Sequence, residues 1–362
     1  MRIGIIAHLK HAICEPFAGG LEMHTSMLRA ALQRRGHEVT VFASSRSQPE
    51  ACVEAICDET SLLEVGCDEA PDKAFFQEHH AYLSLMNGLR HRPFDLIHNN
   101  SLHYLPVAMA DALPTPMVTT LHTPPFAWLE SGVRLCKAPQ ATFVAVSESI
   151  RRAWGRVAPV DHVIMNGIDL DRFAFRPEPT KEPYWIWFGR IVPEKGLHHA
   201  IAAANMTGAK LLIAGPISNR DYFDQQIGPF LTDRIVHIGH LPHDELAHVI
   251  GGANAFLCTP CWEEPYGLVV AEALACGVPV AAFARGAIPE LLDSTCGVLA
   301  TPDDQASLAQ AGLAAQQLDR QACRARAQSR CDVDRMIDEY EALYLSLVKG
   351  GSHLQPERQF AA

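Results

Sequence analysis

The sequence predicts an α/β protein built from two doubly wound parallel sheets, and three observations carry that expectation. Short apolar runs rich in β-branched residues alternate with helical stretches along the chain, the pattern of parallel strands joined by crossover helices. The alternation breaks at 168–183, IDLDRFAFRPEPTKEP, where charged residues and three prolines without a clean period mark a linker. The 362 residues suffice for two domains at roughly 150 residues each. The first domain is expected over 1–172 and the second over 173–331, its first strand near Tyr184.

In the first half the strands are expected at RIGIIA (2–7), EVTVFA (38–43), DLIHNN (95–100), MVTTLH (117–122), TFVAVS (142–147) and HVIMNG (162–167). The second half offers YWIWFG (184–189), KLLIAG (210–215), RIVHIG (234–239), NAFLCT (254–259) and PVAAFA (279–284). A helix should open at Gly19-Gly20 and end at Gly36; another should start close to Tyr266, run to about Cys276 and stop at Gly277. In the last helix Val333, Met336, Ile337, Tyr340, Leu343, Tyr344 and Leu347 fall on one apolar stripe, so helix 332–349 is expected to pack back on the first domain. The tail beyond Lys349 should fray. Residues 47–72 hold eight acids and no Lys or Arg, the composition of a solvated insertion.

Composition narrows the function. With 48% apolar and 20% charged residues the chain reads as an ordinary soluble globular protein. A net charge of −11 disfavours a nucleic-acid partner, whose phosphates call for basic patches. The apolar run in MRIGIIAHLK is too short for a signal-peptide core, and no stretch approaches the roughly 18 apolar residues of a membrane span, so a cytoplasmic location is expected. SIRRAWGRV gathers Arg151, Arg152, Trp154 and Arg156; peripheral contact with anionic lipid is one reading, a solvated helix face the favoured one. Eleven cysteines at irregular spacings suit reduced, buried thiols. The lone C-x-x-C, Cys258 to Cys261, has no second pair, and Cys52, Cys57 and Cys67 with His79 and His80 fit no familiar ligand spacing, so no metal site is expected.

In open parallel sheets ligands bind beyond the carboxyl ends of the strands, so chemistry is sought there. Gly19 and Gly20 open a helix where bare N–H groups can meet an anion, although a simple turn explains a glycine pair equally well; Glu22 can serve as a helix cap. Neither a G-x-G-x-x-G fingerprint nor a Walker loop follows any strand, which argues against a dehydrogenase or a P-loop kinase. In FGRIVPEKG, Arg190 follows a strand directly and Lys195 stands five residues on, two cations suited to one diphosphate; the alternative is a surface pair neutralised by Glu194. EEPYGLVVAEALACGVPV places Glu264 and Glu272 with seven residues between them. Glu272 falls on a slim, alanine-rich helix, where an ionised carboxylate needs hydrogen-bond donors; a ribose diol would supply them, as would neighbouring backbone or a lysine. Glu264 can grip sugar hydroxyls, and the N–H groups of Gly267 and Leu268, just after Tyr266, can face a diphosphate.

Together with GRIVPEKG, NGIDLDRF, GAIPELL and GGLE, that segment resembles the retaining glycosyltransferases of family 4, from Gly19 to about Leu299. The resemblance implies a GT-B fold, two Rossmann-like domains facing a cleft. It further implies transfer of a sugar from a nucleotide-diphosphate donor, a UDP-sugar favoured, to a glycan, lipid-linked or small-molecule acceptor, with retention and without cofactor or metal. On the matching positions, Arg190 and Lys195 take the diphosphate, Glu264 the sugar hydroxyls and Glu272 the ribose. Gly19 and Gly20 present backbone to the phosphates, Tyr266, Gly267 and Leu268 line the nucleotide site, and His122 in TTLHTPP lies beside the donor sugar. Asn99, Asn100, His103, Phe126 and Trp128 are candidate acceptor contacts. The chain has Gly286-Ala287 where the family usually has two glycines. Asp169-Leu-Asp171 mimics a metal motif of a different glycosyltransferase fold but falls in the linker. A nucleotide-sugar epimerase and a non-catalytic nucleotide-sugar sensor are the alternatives.

Overall fold

A computed structural model of the chain describes residues 1–15, 17–47, 52–56 and 73–351. They form two compact units. One comprises Met1–Val146, Ile150–Ile164 and the chain from Met336; the other comprises Ser147–Ser149 and Met165–Arg335.

In chain order the first stretch contains β1 (Arg2–Ile6), α1 (Gly20–Arg34), β2 (Glu38–Ala43), β3 (Val53–Ala55), α2 (Lys73–Leu89), β4 (Leu96–Asn99), α3 (Tyr104–Ala108), β5 (Met117–Leu121), α4 (Ala127–Leu135), β6 (Ala141–Ala145), α5 (Glu148–Trp154) and β7 (His162–Val163). Its seven strands are parallel in the order β3-β2-β1-β4-β5-β6-β7. Because parallel strands are covered on both faces they read as unbroken apolar runs, and β1, β4 and β5 are buried almost from end to end. The strand order reverses between β1 and β4.

The second unit follows with β8 (Trp185–Phe188), α6 (Leu197–Thr207), β9 (Leu211–Ala214), α7 (Arg220–Tyr222), β10 (Ile235–His237), α8 (His243–Gly252), β11 (Ala255–Cys258), α9 (Leu268–Ala275), β12 (Val280–Phe283), α10 (Ile288–Leu291), β13 (Gly297–Ala300), α11 (Gln305–Ala315) and α12 (Arg320–Arg330). Its six strands run in the order β10-β9-β8-β11-β12-β13, again all parallel. Here the reversal falls between β8 and β11. Trp185, Trp187, Ile213, Leu257 and Phe283 anchor a core that α6 and α11 cover.

All eleven expected strands are present, β2 at full length and the other ten shorter by one to four residues, and two more exist. β3 is a half-exposed edge strand within the acidic segment, most of which lies outside the described residues, and β13 is a four-residue edge strand. Such short edge elements carry too little apolar pattern to stand out in sequence.

The last helix, α13 (Val333–Gly351), continues two residues past the expected end at Lys349; the rest of the tail lies outside the described residues. From Met336 it belongs to the first unit. Met336, Ile337, Tyr340, Leu343 and Tyr344 are buried and Leu347 is half-buried. The Tyr344 hydroxyl bonds His98 Nδ1, His98 Nε2 lies 2.8 Å from Thr120 Oγ1, and Thr120 Oγ1 lies 2.9 Å from the Tyr340 hydroxyl. Glu341 accepts from Arg35 and from His37, each at 2.6 Å. Each large side chain fully buried in this way contributes about 1.5–3 kcal/mol.

Candidate functional site

In the second unit the expected donor residues gather at the reversal of strand order. Arg190 follows β8, Lys195 closes the turn at Pro193–Lys195, and Glu264 lies on the loop after β11, the strand adjacent to β8. A reversal leaves a crevice at the strands' carboxyl ends because the two crossovers depart in opposite directions. Trp187 Nε1 donates to Thr259 Oγ1 at 3.0 Å, and Thr259 Oγ1 donates to the Lys195 carbonyl at 3.0 Å. Gly196, at φ +64°, lies so close that an added Cβ would overlap the Thr259 carbonyl oxygen.

Lys195 Nζ lies 2.7 Å from Glu264 Oε2, which also accepts from Trp262 Nε1 at 3.0 Å. The ammonium sits 5.5 Å from the centre of the Trp262 ring. Lys195 is therefore paired across two loops with Glu264, not with its sequence neighbour Glu194, whose carbonyl instead accepts from Cys261 N. Sequence reasoning missed Trp262; an indole two residues before Glu264 was the available signal. Arg190 is exposed and has no ion pair or side-chain hydrogen bond among the described residues.

Beyond that loop, Gly267 at φ +99° turns the chain into α9, two residues later than expected, and Gly277 at φ +82° ends it. Among the described residues, no acceptor takes the N–H of Gly267 or Leu268. Glu272 is 8% exposed, and its carboxylate has no hydrogen-bond or ion-pair partner among the described residues. Burial pushes it up to about 7. Tyr266 is buried, and burial, with Cys331 beside it, drives its hydroxyl well above the ordinary range. Its ring is core, which leaves its backbone alone to face a ligand. The Gly286-Ala287 departure has a backbone reason. Gly286 takes φ +58° against Glu264, whereas Ala287, at φ −85°, needs no glycine and donates its N–H to the Glu264 carbonyl at 2.8 Å.

The first unit assembles a second group at its own reversal. Gly19 and Gly20 stand at the start of α1 after β1, while Asn99 and Asn100 follow from β4. Glu22, nearly fully buried, lies 3.5 Å from His8 Nδ1; burial works to raise its carboxyl, but the bond to His8 and a backbone bond hold it below the usual range. His122, just past β5, donates from Nε2 to Asn100 Oδ1 at 2.9 Å, which leaves Nδ1 as the lone-pair nitrogen. Its ring meets the edge of His24 at 4.8 Å. Burial, then His24 and His98, lowers His122 well below the ordinary value; burial takes His24 to about 4, and burial with His24 takes His98 to about 3. These three imidazoles are uncharged at neutral pH.

Trp128 is exposed and stacks with Tyr104 at 5.7 Å, and Phe126 is exposed too; His103 instead caps α3 through Nδ1. Trp154 is fully buried and donates to the Thr123 carbonyl at 2.7 Å, so no aromatic of that basic stretch is available to enter a lipid surface. Asp169 accepts from Asp171 N and caps a short turn. Cys57 and Cys67 lie outside the described residues, and Cys258 is core. No described helix is long and apolar enough to cross a membrane.

Two α/β units with polar clusters beyond the carboxyl ends of parallel strands define a GT-B glycosyltransferase. Residues 18–172 match the family described as Glycosyltransferase Family 4, and residues 171–330 match Glycosyl transferases group 1. The chain belongs to the retaining glycosyltransferases of family 4. It is 28% identical to the glycogen synthase of Mycobacterium tuberculosis over 93% of this chain and 94% of that one. In fold it is similar to sucrose-phosphate synthase from Thermosynechococcus elongatus, with a TM-score of 0.78 at 21% identity over 96% and 99% of the two chains. It is also similar to Anabaena HepE, solved in complex with UDP-glucose, with a TM-score of 0.73 at 18% identity over 96% and 100%.

Proposed function

We propose that this glycosyltransferase moves a hexose from a UDP-sugar to an acceptor hydroxyl with retention, and that the second unit's polar cluster binds the donor. The observation that carries the reading is Glu272. A carboxylate kept in the interior of a helix without a protein partner costs several kcal/mol, and a ligand's hydroxyl pair would supply the missing donors. Arg190 and Lys195 are assigned the diphosphate, with the N–H groups of Gly267 and Leu268 beside them; Tyr266 contributes through its backbone. Glu264 is assigned the sugar hydroxyls. Its bond to Lys195 fixes the ammonium's position before the donor arrives. His122 is assigned the transferred sugar, and the backbone of Gly19 and Gly20 the phosphates, as the family motif implies.

In the proposed reaction the anomeric C–O bond to phosphate breaks, positive charge builds on the anomeric carbon, and negative charge builds on the departing diphosphate. Arg190, Lys195 and the start of α9 stabilise that negative charge. The acceptor oxygen bonds to the same face of the sugar while its proton passes to a phosphate oxygen. The uridine preference is drawn from the UDP-glucose held by the Anabaena neighbour.

A thermal-shift panel of UDP, GDP and ADP sugars tests the donor. At 100 times its dissociation constant the true ligand adds about 2.7 kcal/mol of stability. Stabilisation by a GDP- or ADP-sugar alone would refute the uridine assignment. Incubating the bound donor without acceptor separates the alternatives: a new sugar isomer indicates an epimerase, and absence of transfer to any acceptor indicates a sensor.

A further inference from the structure

We propose that His198, His199 and Cys261 form a binding site for a divalent cation of the zinc class. Their candidate ligand atoms all lie within 4.8 Å of one another. Two imidazoles and a thiolate are the donor set that zinc and cobalt prefer over magnesium or calcium. Tetrahedral zinc holds such ligands roughly 3.5 Å apart, so the three side chains would have to draw closer to complete the arrangement. Asp303 stands next to them, its Oδ1 3.6 Å from His199 Nε2, and offers a fourth ligand. It is also paired with Arg285, so metal binding would share this carboxylate with that guanidinium.

The surroundings hold the ligands from behind. The Tyr222 hydroxyl lies 2.7 Å from His198 Nδ1 and can accept its N–H. Outer contacts of this kind fix the ring orientation of metal-binding histidines. The histidine rings lie side by side, centroids 4.1 Å apart. Cys261 reaches them because its loop is locked to the start of α6: Cys261 N donates to the Glu194 carbonyl at 2.8 Å, and a Cβ on Gly196 would meet Cys261 Sγ at 2.8 Å. Without a metal, the same residues are no more than a half-buried thiol packed against two imidazoles. Neither the C-x-x-C spacing nor the adjacent histidines reveals the site, because the histidines stand on α6 and Cys261 on the loop after β11.

The site would join the segment that carries Lys195 to the loop that carries Glu264. It rests on none of the donor assignments, and its test needs no nucleotide. Purified full-length protein, stripped with chelator, is titrated with Co2+. A thiolate-to-cobalt charge-transfer band is expected to saturate at one equivalent and to collapse on addition of Zn2+. Cys261→Ser should abolish the band and Cys14→Ser should keep it, while His199→Gln should weaken Co2+ binding roughly tenfold or more. A wild-type protein without a saturable band, or a band that survives Cys261→Ser, overturns the proposal. Should Cys261→Ser fail to fold, the wild type still decides: one equivalent of Zn2+ should slow alkylation of Cys261, read by mass spectrometry, roughly tenfold or more. An unchanged rate refutes the site.

Discussion

Glu272 is where the physical chemistry is least forgiving. Its ordinary value is 4.5 and burial raises it to about 7, so the folded protein holds a proton that the unfolded chain has released across that window. The nucleotide-free protein is therefore stabilised below the window, loses that stability as pH climbs through it, and loses no more above it. A rise of that size corresponds to about 3 kcal/mol at most. Thermal unfolding of wild type and Glu272→Gln at about pH 5 and about pH 8 should show a smaller drop in the variant. Ribose hydroxyls favour the ionised form, so UDP affinity of the wild type should rise through the same window, and Glu272→Ala should weaken it roughly tenfold or more. Calorimetric titration with UDP measures both; equal affinity for wild type and variant would remove the ribose assignment. Arg190→Ala and Lys195→Ala should lower kcat, by roughly a hundredfold, and weaken UDP as well, because both cations are assigned its diphosphate. Single-turnover rates alongside binding separate the two effects. The positions of these residues were legible because each stands just after an apolar run. Their pairing was not, since the Lys195–Glu264 contact joins loops 69 residues apart.

At the scale of elements, backbone conformation sets the loops that carry chemistry. Gly196 takes a left-handed φ and has no room for a Cβ against Thr259, so Gly196→Ala should destabilise the protein by about 1–3 kcal/mol and disturb Lys195 and Cys261 together. Ala287→Gly should be tolerated, with less than about 1 kcal/mol lost, because φ −85° already suits alanine. Denaturant midpoints of the two variants give the comparison; a neutral Gly196→Ala would show that the loop relaxes freely. The central strands were legible since burial on both faces leaves them almost wholly apolar. The edge strands β3 and β13 were not, because a strand paired on one side with one exposed face needs few apolar residues to form. The start of α9 was displaced by two residues because Tyr266, which has the look of a helical residue, is held in the core ahead of the left-handed Gly267.

At the scale of the whole molecule, α13 from Met336 supplies buried side chains and hydroxyl partners to the first unit. Deleting residues 336–362 would remove Ile337, Tyr340 and Tyr344 from that core and leave His98 without its tyrosine. Several large buried side chains at about 1.5–3 kcal/mol each approach the stability of an average domain. Limited proteolysis of the truncated chain should cut the first unit first and spare Met165–Arg335 for longer; equal resistance of both units would contradict this. The apolar stripe of the helix was legible from its period, whereas the His98–Tyr344 and Thr120–Tyr340 contacts were not, because they join residues more than two hundred positions apart.

The same helix inverts the timetable of synthesis. A ribosome delivers the β1–β7 sheet early, yet the wedge that seals it emerges only after the second unit, with Tyr344 246 residues after His98. Nascent chains therefore keep an open apolar seam on the older half from β7 until α13 is made, and by then the younger half has every strand it needs. Chaperone demand should peak before α13 emerges, and a stop codon ahead of Met336 would strand the half made first.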